Sequence, residues 1–110
     1  MWKVYLWLKN VIKEFKDYKN VLSALGDETR QAIIVYIMIN CDGKGFRIGE
    51  LSDKVSASRT AISHHLKVLK ENNVVDIRKE GTKNYYYINK ESSSLKTLIR
   101  FFKDLEEYIK

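Results

Sequence analysis

Residues 48–73 read IGELSDKVSASRTAISHHLKVLKENN, and this stretch decides the fold. Ile48, Leu51 and Val55 recur at helical spacing and share one face of a short helix. Ser56–Ser58 breaks it, and Ser58 is a capping residue type set just before a second periodic run ending near Asn72. Asn73 is one of the few residue types that accept the left-handed conformation closing a helix. A short helix, a tight turn and a longer helix make a helix-turn-helix.

Toward the C-terminus the period changes to two. Val75 and Ile77 alternate with Asp76 and Arg78, and Tyr86 and Ile88 alternate with Tyr85 and Tyr87. The polar, glycine-containing Lys79–Lys83 between them predicts a hairpin tip, and the hairpin makes a wing. Ser92–Ser94 offers caps for a last helix whose stripe is Leu95, Leu98, Ile99, Phe102, Leu105 and Ile109. Toward the N-terminus, Asn40–Gly45 reads as a loop. Thr29–Ile39 before it is apolar nearly all round, so cover on more than one side is expected. Asp27 is its expected N-cap, and Glu28 suits the helix dipole. Val21–Leu25 is a short piece expected to stop at Gly26, and Trp2 to about Tyr18 has a helical rhythm through Leu8, Val11, Ile12 and Phe15. The expectation is one mainly α domain over 1–110, a winged helix-turn-helix. Residues 47–88 form the helix-turn-helix and wing, and 1–20 and 92–110 are flanking helices.

A chain of 110 residues with 45% hydrophobic content supports one core rather than two domains or wholesale disorder. Its net charge of +6 and pI near 9.4 favour an acidic partner, nucleic acid or an anionic surface. The single cysteine, Cys41, excludes an internal disulfide framework and an all-cysteine metal site within one chain, and it fits a reducing, cytoplasmic compartment. No apolar run approaches the roughly 20 residues that span a bilayer, and Met1–Leu8 lacks a signal-peptide cleavage site.

At 100° per residue, Ile62, Leu66 and Leu69 fall within about 40° of one line, with His65 about 60° away. Thr60, Ser63, His64 and Lys67 occupy the opposite arc, with Arg59 on its edge. One side is built to pack. The other presents hydrogen-bonding groups and positive charge near the helix N-terminus, which suits base edges in a major groove or a phosphate. The same polarity would serve any exposed helix, so the wing adds weight: Arg78, Lys79 and Lys83 flank its tip against Glu80 and can reach a backbone or minor groove.

Leu22 to about Ile88 resembles the ArsR-type winged-helix regulators. Three groups of residues carry the resemblance: Leu25-Gly26-Asp27-Glu28-Thr29-Arg30, the run Ser58–Leu69, and Arg78, Gly81, Tyr86 and Ile88 of the wing. The resemblance implies a sequence-specific regulator of double-stranded DNA, a repressor, dimerising through its terminal helices on an inverted-repeat operator. It also implies DNA contacts from Ser58, Arg59, Ser63 and His64. Arg59 stands where the family often has glutamine, Asn73 replaces a common glycine, and Arg30 is expected to be structural or capping.

Metal-sensing members carry a Cys-x-Cys pair whose slots, aligned on Leu51, hold Arg47 and Gly49 here. The other familiar site needs histidine on the last helix. Asp104, Glu106 and Glu107 are present there, but no histidine follows His65. No metal and no cofactor is therefore expected, and the sequence does not identify an effector. Cys41 is expected to be inert, His65 structural, and His64 on the DNA face. Strand alternation buries Tyr86 and leaves Tyr85 and Tyr87 half exposed, against the alternative of a stacking platform for single strands. No catalytic constellation is present. Two other readings stay open: a winged helix that binds protein, and a membrane-surface protein using Trp2, Tyr5 and Trp7 on a basic helix. Against the second, the N-terminal apolar stripe runs on into Val21 and Leu22, as on a helix packed against protein.

Overall fold

The computed structural model describes residues 2–40 and 43–109. Helices α1 (Trp2–Asp17), α2 (Lys19–Ala24), α3 (Glu28–Ile39), α4 (Ile48–Val55) and α5 (Arg59–Glu71) precede strands β1 (Asp76–Glu80) and β2 (Lys83–Tyr87), and α6 (Ser94–Glu106) closes the chain. The molecule is a winged helix-turn-helix.

The core lies where α3, α4, α5 and the wing base converge. Ile33, Ile37, Leu51, Ile62, Leu66, Leu69 and Val74 are its fully buried side chains, joined by Tyr86 from the wing. The expected punctuation is in place. Ser58 Oγ accepts from Ala61 N at 3.1 Å, capping α5, and Ser56 and Asn73 take φ of 54° and 58°, ending α4 and the chain turn after α5. Asp76 pairs with Tyr87 and Glu80 with Lys83, so the turn is Gly81-Thr82 alone, tighter than the tip read from sequence. Gly81 has φ of 60°, the positive value that both primed hairpin turns demand at their first central residue.

Asp27 caps α3 as expected: its carboxylate accepts from Arg30 N at 3.0 Å. That backbone hydrogen bond is the main reason its pKa lies below the usual 3.8, with the His65 and Arg30 charges acting in the same direction. A depressed carboxylate pKa contributes stability above the unfolded value and loses it as pH falls through the folded value. Thermal denaturation of Asp27→Ala should therefore give a lower Tm than wild type at neutral pH, with the gap closing well below pH 3.8.

Several expectations are corrected. Helix α2 spans Lys19–Ala24, starting two residues before the expected Val21–Leu25 piece, and it stops ahead of Gly26 as expected, with Leu25 N and Gly26 N donating back to Val21 O and Ser23 O. Helix α3 is covered on one side only: Ile33, Ile34 and Ile37 are buried, while Val35, Met38 and Ile39 are exposed. In α6 the inward residues are Leu98 and Phe101, the latter absent from the predicted stripe. Phe46, just past the Asn40–Gly45 loop and given no element from sequence, pairs with Tyr86 through two 2.8 Å backbone hydrogen bonds and adds a one-residue third edge to the wing. Cys41 lies outside the described residues.

The terminal helices meet each other. Phe15 packs edge-on against Phe101 with ring centroids 4.8 Å apart, and Trp7 meets Tyr108 in a tilted ring contact at 4.2 Å. Yet no residue of α1 is buried, and Leu8, Ile12, Phe15, Ile99 and Phe102 remain exposed. The radius of gyration is 16.5 Å, against roughly 13 Å for a compact domain of this length. The chain extends 57 Å along its long axis and 24 Å across it.

Candidate nucleic-acid interface

Helix α5 positions the predicted site by burying its other side. Ile62, Leu66 and Leu69 are sealed in the core, so the helix cannot rotate without exposing them. Arg59, Thr60, Ser63, His64 and Lys67 are thereby held outward, and with Ile48 of α4 they line one shallow, open groove. Ser58 is exposed at the N-terminal edge of this surface, its hydroxyl taken up by the helix cap. Five of the residue positions singled out on α5 thus form one continuous surface.

The two histidines diverge, as neighbours on a helix must. His64 is exposed, whereas His65 turns inward, with Nδ1 3.2 Å from Arg30 Nη1 and 3.9 Å from Asp27 Oδ1. Arg30 also donates from Nε to Ala24 O at 2.6 Å. Asp27, Arg30 and His65 therefore fasten the C-terminus of α2 and the N-terminus of α3 to the back of α5. Arg30 is structural, and so is His65.

The wing sorts its basic residues by register. Lys79 pairs with Asn84 and shares the face of Ile77 and Tyr86, while Lys83 pairs with Glu80 on the opposite face, with Arg78 and Tyr85. Both lysines are exposed near the tip. Arg78 is engaged differently from its two neighbours: it donates to Lys44 O at 2.7 Å, pairs with Glu80, and lies 4.7 Å from the Tyr85 ring centroid. It ties the wing to the loop before α4. Tyr86 is buried, and Tyr85 and Tyr87 are half-buried.

A second groove runs between α4 and the wing tip. Arg47, Gly49, Glu50, Asp53, Thr82 and Asn84 line it, and Arg59 borders both grooves. Thr82 and Asn84 were not singled out from sequence. The signal for Asn84 was its parity with Tyr86 along β2, which puts it on the same side of the wing as that buried ring, toward α4. Among the described residues, no three His, Cys, Asp or Glu side chains gather as metal ligands.

Residues 27–76 match the family model described as bacterial regulatory protein, arsR family. The chain is 32% identical over 77 residues to an uncharacterized HTH-type transcriptional regulator of Methanocaldococcus jannaschii, covering 70% of this chain and 83% of that protein. It is 31% identical over 70 residues to the transcriptional repressor SdpR of Bacillus subtilis, covering 64% of this chain and 73% of the relative. Among solved structures, reduced HlyU from Vibrio cholerae, a protein named a transcriptional activator, superposes with a TM-score of 0.68 at 27% identity. That match covers 88% of this chain and 96% of HlyU.

Proposed function

Because this chain belongs to the arsR family of bacterial regulatory proteins, and is a DNA-binding transcriptional regulator rather than an enzyme, we propose that a homodimer represses transcription by seating two copies of α5 in successive major grooves of an inverted repeat. The observation that carries this is the single exposed surface of Arg59, Thr60, Ser63, His64 and Lys67, backed by a fully buried apolar side. Arg59, Ser63 and His64 read base edges, and Ser58 and Thr60 hold the helix N-terminus to the backbone. Lys67, Lys79 and Lys83 contact phosphate, and Arg78 sets the wing's angle while its exposed edge meets the backbone. The likeness to SdpR supports repression as the outcome. Exposed apolar residues on α1 and α6, together with the elongated shape, support the dimer. No helix among the described residues is long and apolar enough to cross a membrane, and we place the regulator in the cytoplasm. Arg47 and Gly49 in the thiolate slots support a regulator that does not use its family's usual metal sites.

Two substitutions separate reading from anchoring. Arg59→Ala should cost on the order of 1–3 kcal/mol on the specific site and relax base preference at one position per half-site. Lys83→Ala should weaken specific and random duplexes about equally and flatten the salt dependence. Titrations of both variants at several salt concentrations check this. Unchanged affinity and preference in folded Arg59→Ala would remove α5 as the reading element and favour a protein-binding winged helix.

A further inference from the structure

Gly49 and Arg59 touch across the turn of the helix-turn-helix. A Cβ built on Gly49 would lie 2.9 Å from Arg59 Nη2 and 3.2 Å from Cζ, so the guanidinium rests against the bare Cα at the start of α4. Ordinary carbon contacts begin near 3.5 Å, so no other residue type fits there with Arg59 in place. Gly49 is not in a left-handed conformation, and its backbone is one any residue adopts in a helix. Glycine is thus unnecessary for the fold, and inside a helix it is less favourable than alanine. What it provides is room. Among the described residues the Arg59 side chain makes no hydrogen bond or ion pair, although Glu50 and Asp53 line the same groove. Its placement therefore rests on this packing, at the junction between the α5 surface and the groove leading to the wing.

We infer that Gly49 is a specificity-determining residue: its missing side chain seats the Arg59 guanidinium against α4 and so fixes which base the arginine reaches. The inference rests on the proposed reading of DNA by α5. A long side chain whose rotamers are restricted before binding loses less entropy when it engages a base, and its fixed fork favours one base position over its neighbours. A methyl group at position 49 meets the far end of a flexible side chain, so Arg59 yields and the backbone stays.

The test is a double-mutant cycle with wild type, Gly49→Ala, Arg59→Ala and the double variant. Each is titrated against the best duplex recovered from a random-sequence pool and against unselected duplex, with thermal unfolding alongside. Gly49→Ala should weaken the selected duplex about tenfold and blur preference at the base lost in Arg59→Ala. It should leave unselected DNA unaffected and keep or raise Tm. In the Arg59→Ala background, Gly49→Ala should change neither affinity nor base preference. Full affinity and preference in Gly49→Ala, with Arg59→Ala impaired, would overturn the positioning role while leaving the reading by α5 intact. Equal losses in both backgrounds would also overturn it, by showing that α4 acts without Arg59. If Arg59→Ala itself has no effect, the underlying reading falls and takes this inference with it.

Discussion

Ile12→Glu or Phe102→Glu should convert the protein into a folded 13.0 kDa particle that binds its operator at least about 100-fold more weakly. Ile12 is 47% exposed and Phe102 46% exposed in the single chain, so a carboxylate at either position costs the monomer fold little. Across a two-fold axis each change enters the interface twice, placing two unpaired charges in an apolar contact. The loss in DNA binding follows from geometry. One copy of α5 contacts one half-site, and the second half-site adds binding through the high effective concentration of a linked reader. Light scattering with circular dichroism separates the outcomes. A particle of twice 13.0 kDa in both variants, with unchanged operator affinity, would place the dimer contact elsewhere. Leu98, at 4% exposure, belongs to the buried core of the single chain instead.

Ile62→Ala should destabilise the protein by about 2–5 kcal/mol, a large share of the 5–15 kcal/mol typical of a domain. The side chain is 0% exposed and shares the core with Leu51, Leu66 and Leu69, so truncation leaves a cavity that rigid helices on both sides cannot close. Chemical denaturation at one fixed protein concentration measures this, since dimerisation links stability to concentration. The contrast with Arg59→Ala is informative because the two residues lie three apart on α5. One should lose stability and keep site preference; the other should do the reverse. A loss under about 1 kcal/mol for Ile62→Ala would contradict the buried assignment of this face.

Most of the helix-turn-helix was legible because its signals are local. The spacing of Ile48, Leu51 and Val55, the capping hydroxyl of Ser58 and the tolerance of Asn73 for positive φ each act within a few residues. The α5 surface followed from the same periodicity, since fixing the buried face fixes the exposed one. What escaped is non-local. Phe46 and Tyr86 pair although they lie forty positions apart, and neither side of that pairing announces the other. Phe101 and Phe102 are adjacent aromatics, both compatible with a helical stripe. Only packing on Phe15 and Tyr18 decides that Phe101 turns inward. Helix α3 looked buried all round because Val35, Met38 and Ile39 are apolar, yet within one chain nothing covers them. The contact of Arg59 with Gly49 likewise depends on the angle between two helices, which a sequence pattern does not carry.

The most direct measurement is selection of bound fragments from a random-sequence duplex pool by the purified protein, followed by hydroxyl-radical footprinting on the winner. The account predicts an inverted repeat whose two half-sites lie one helical turn, roughly 34 Å, apart on one face of the duplex. Within each half-site, one position should lose its preference when selection is repeated with Arg59→Ala. A pool that yields no shared sequence, with random DNA bound as tightly as any selected fragment, would contradict the account.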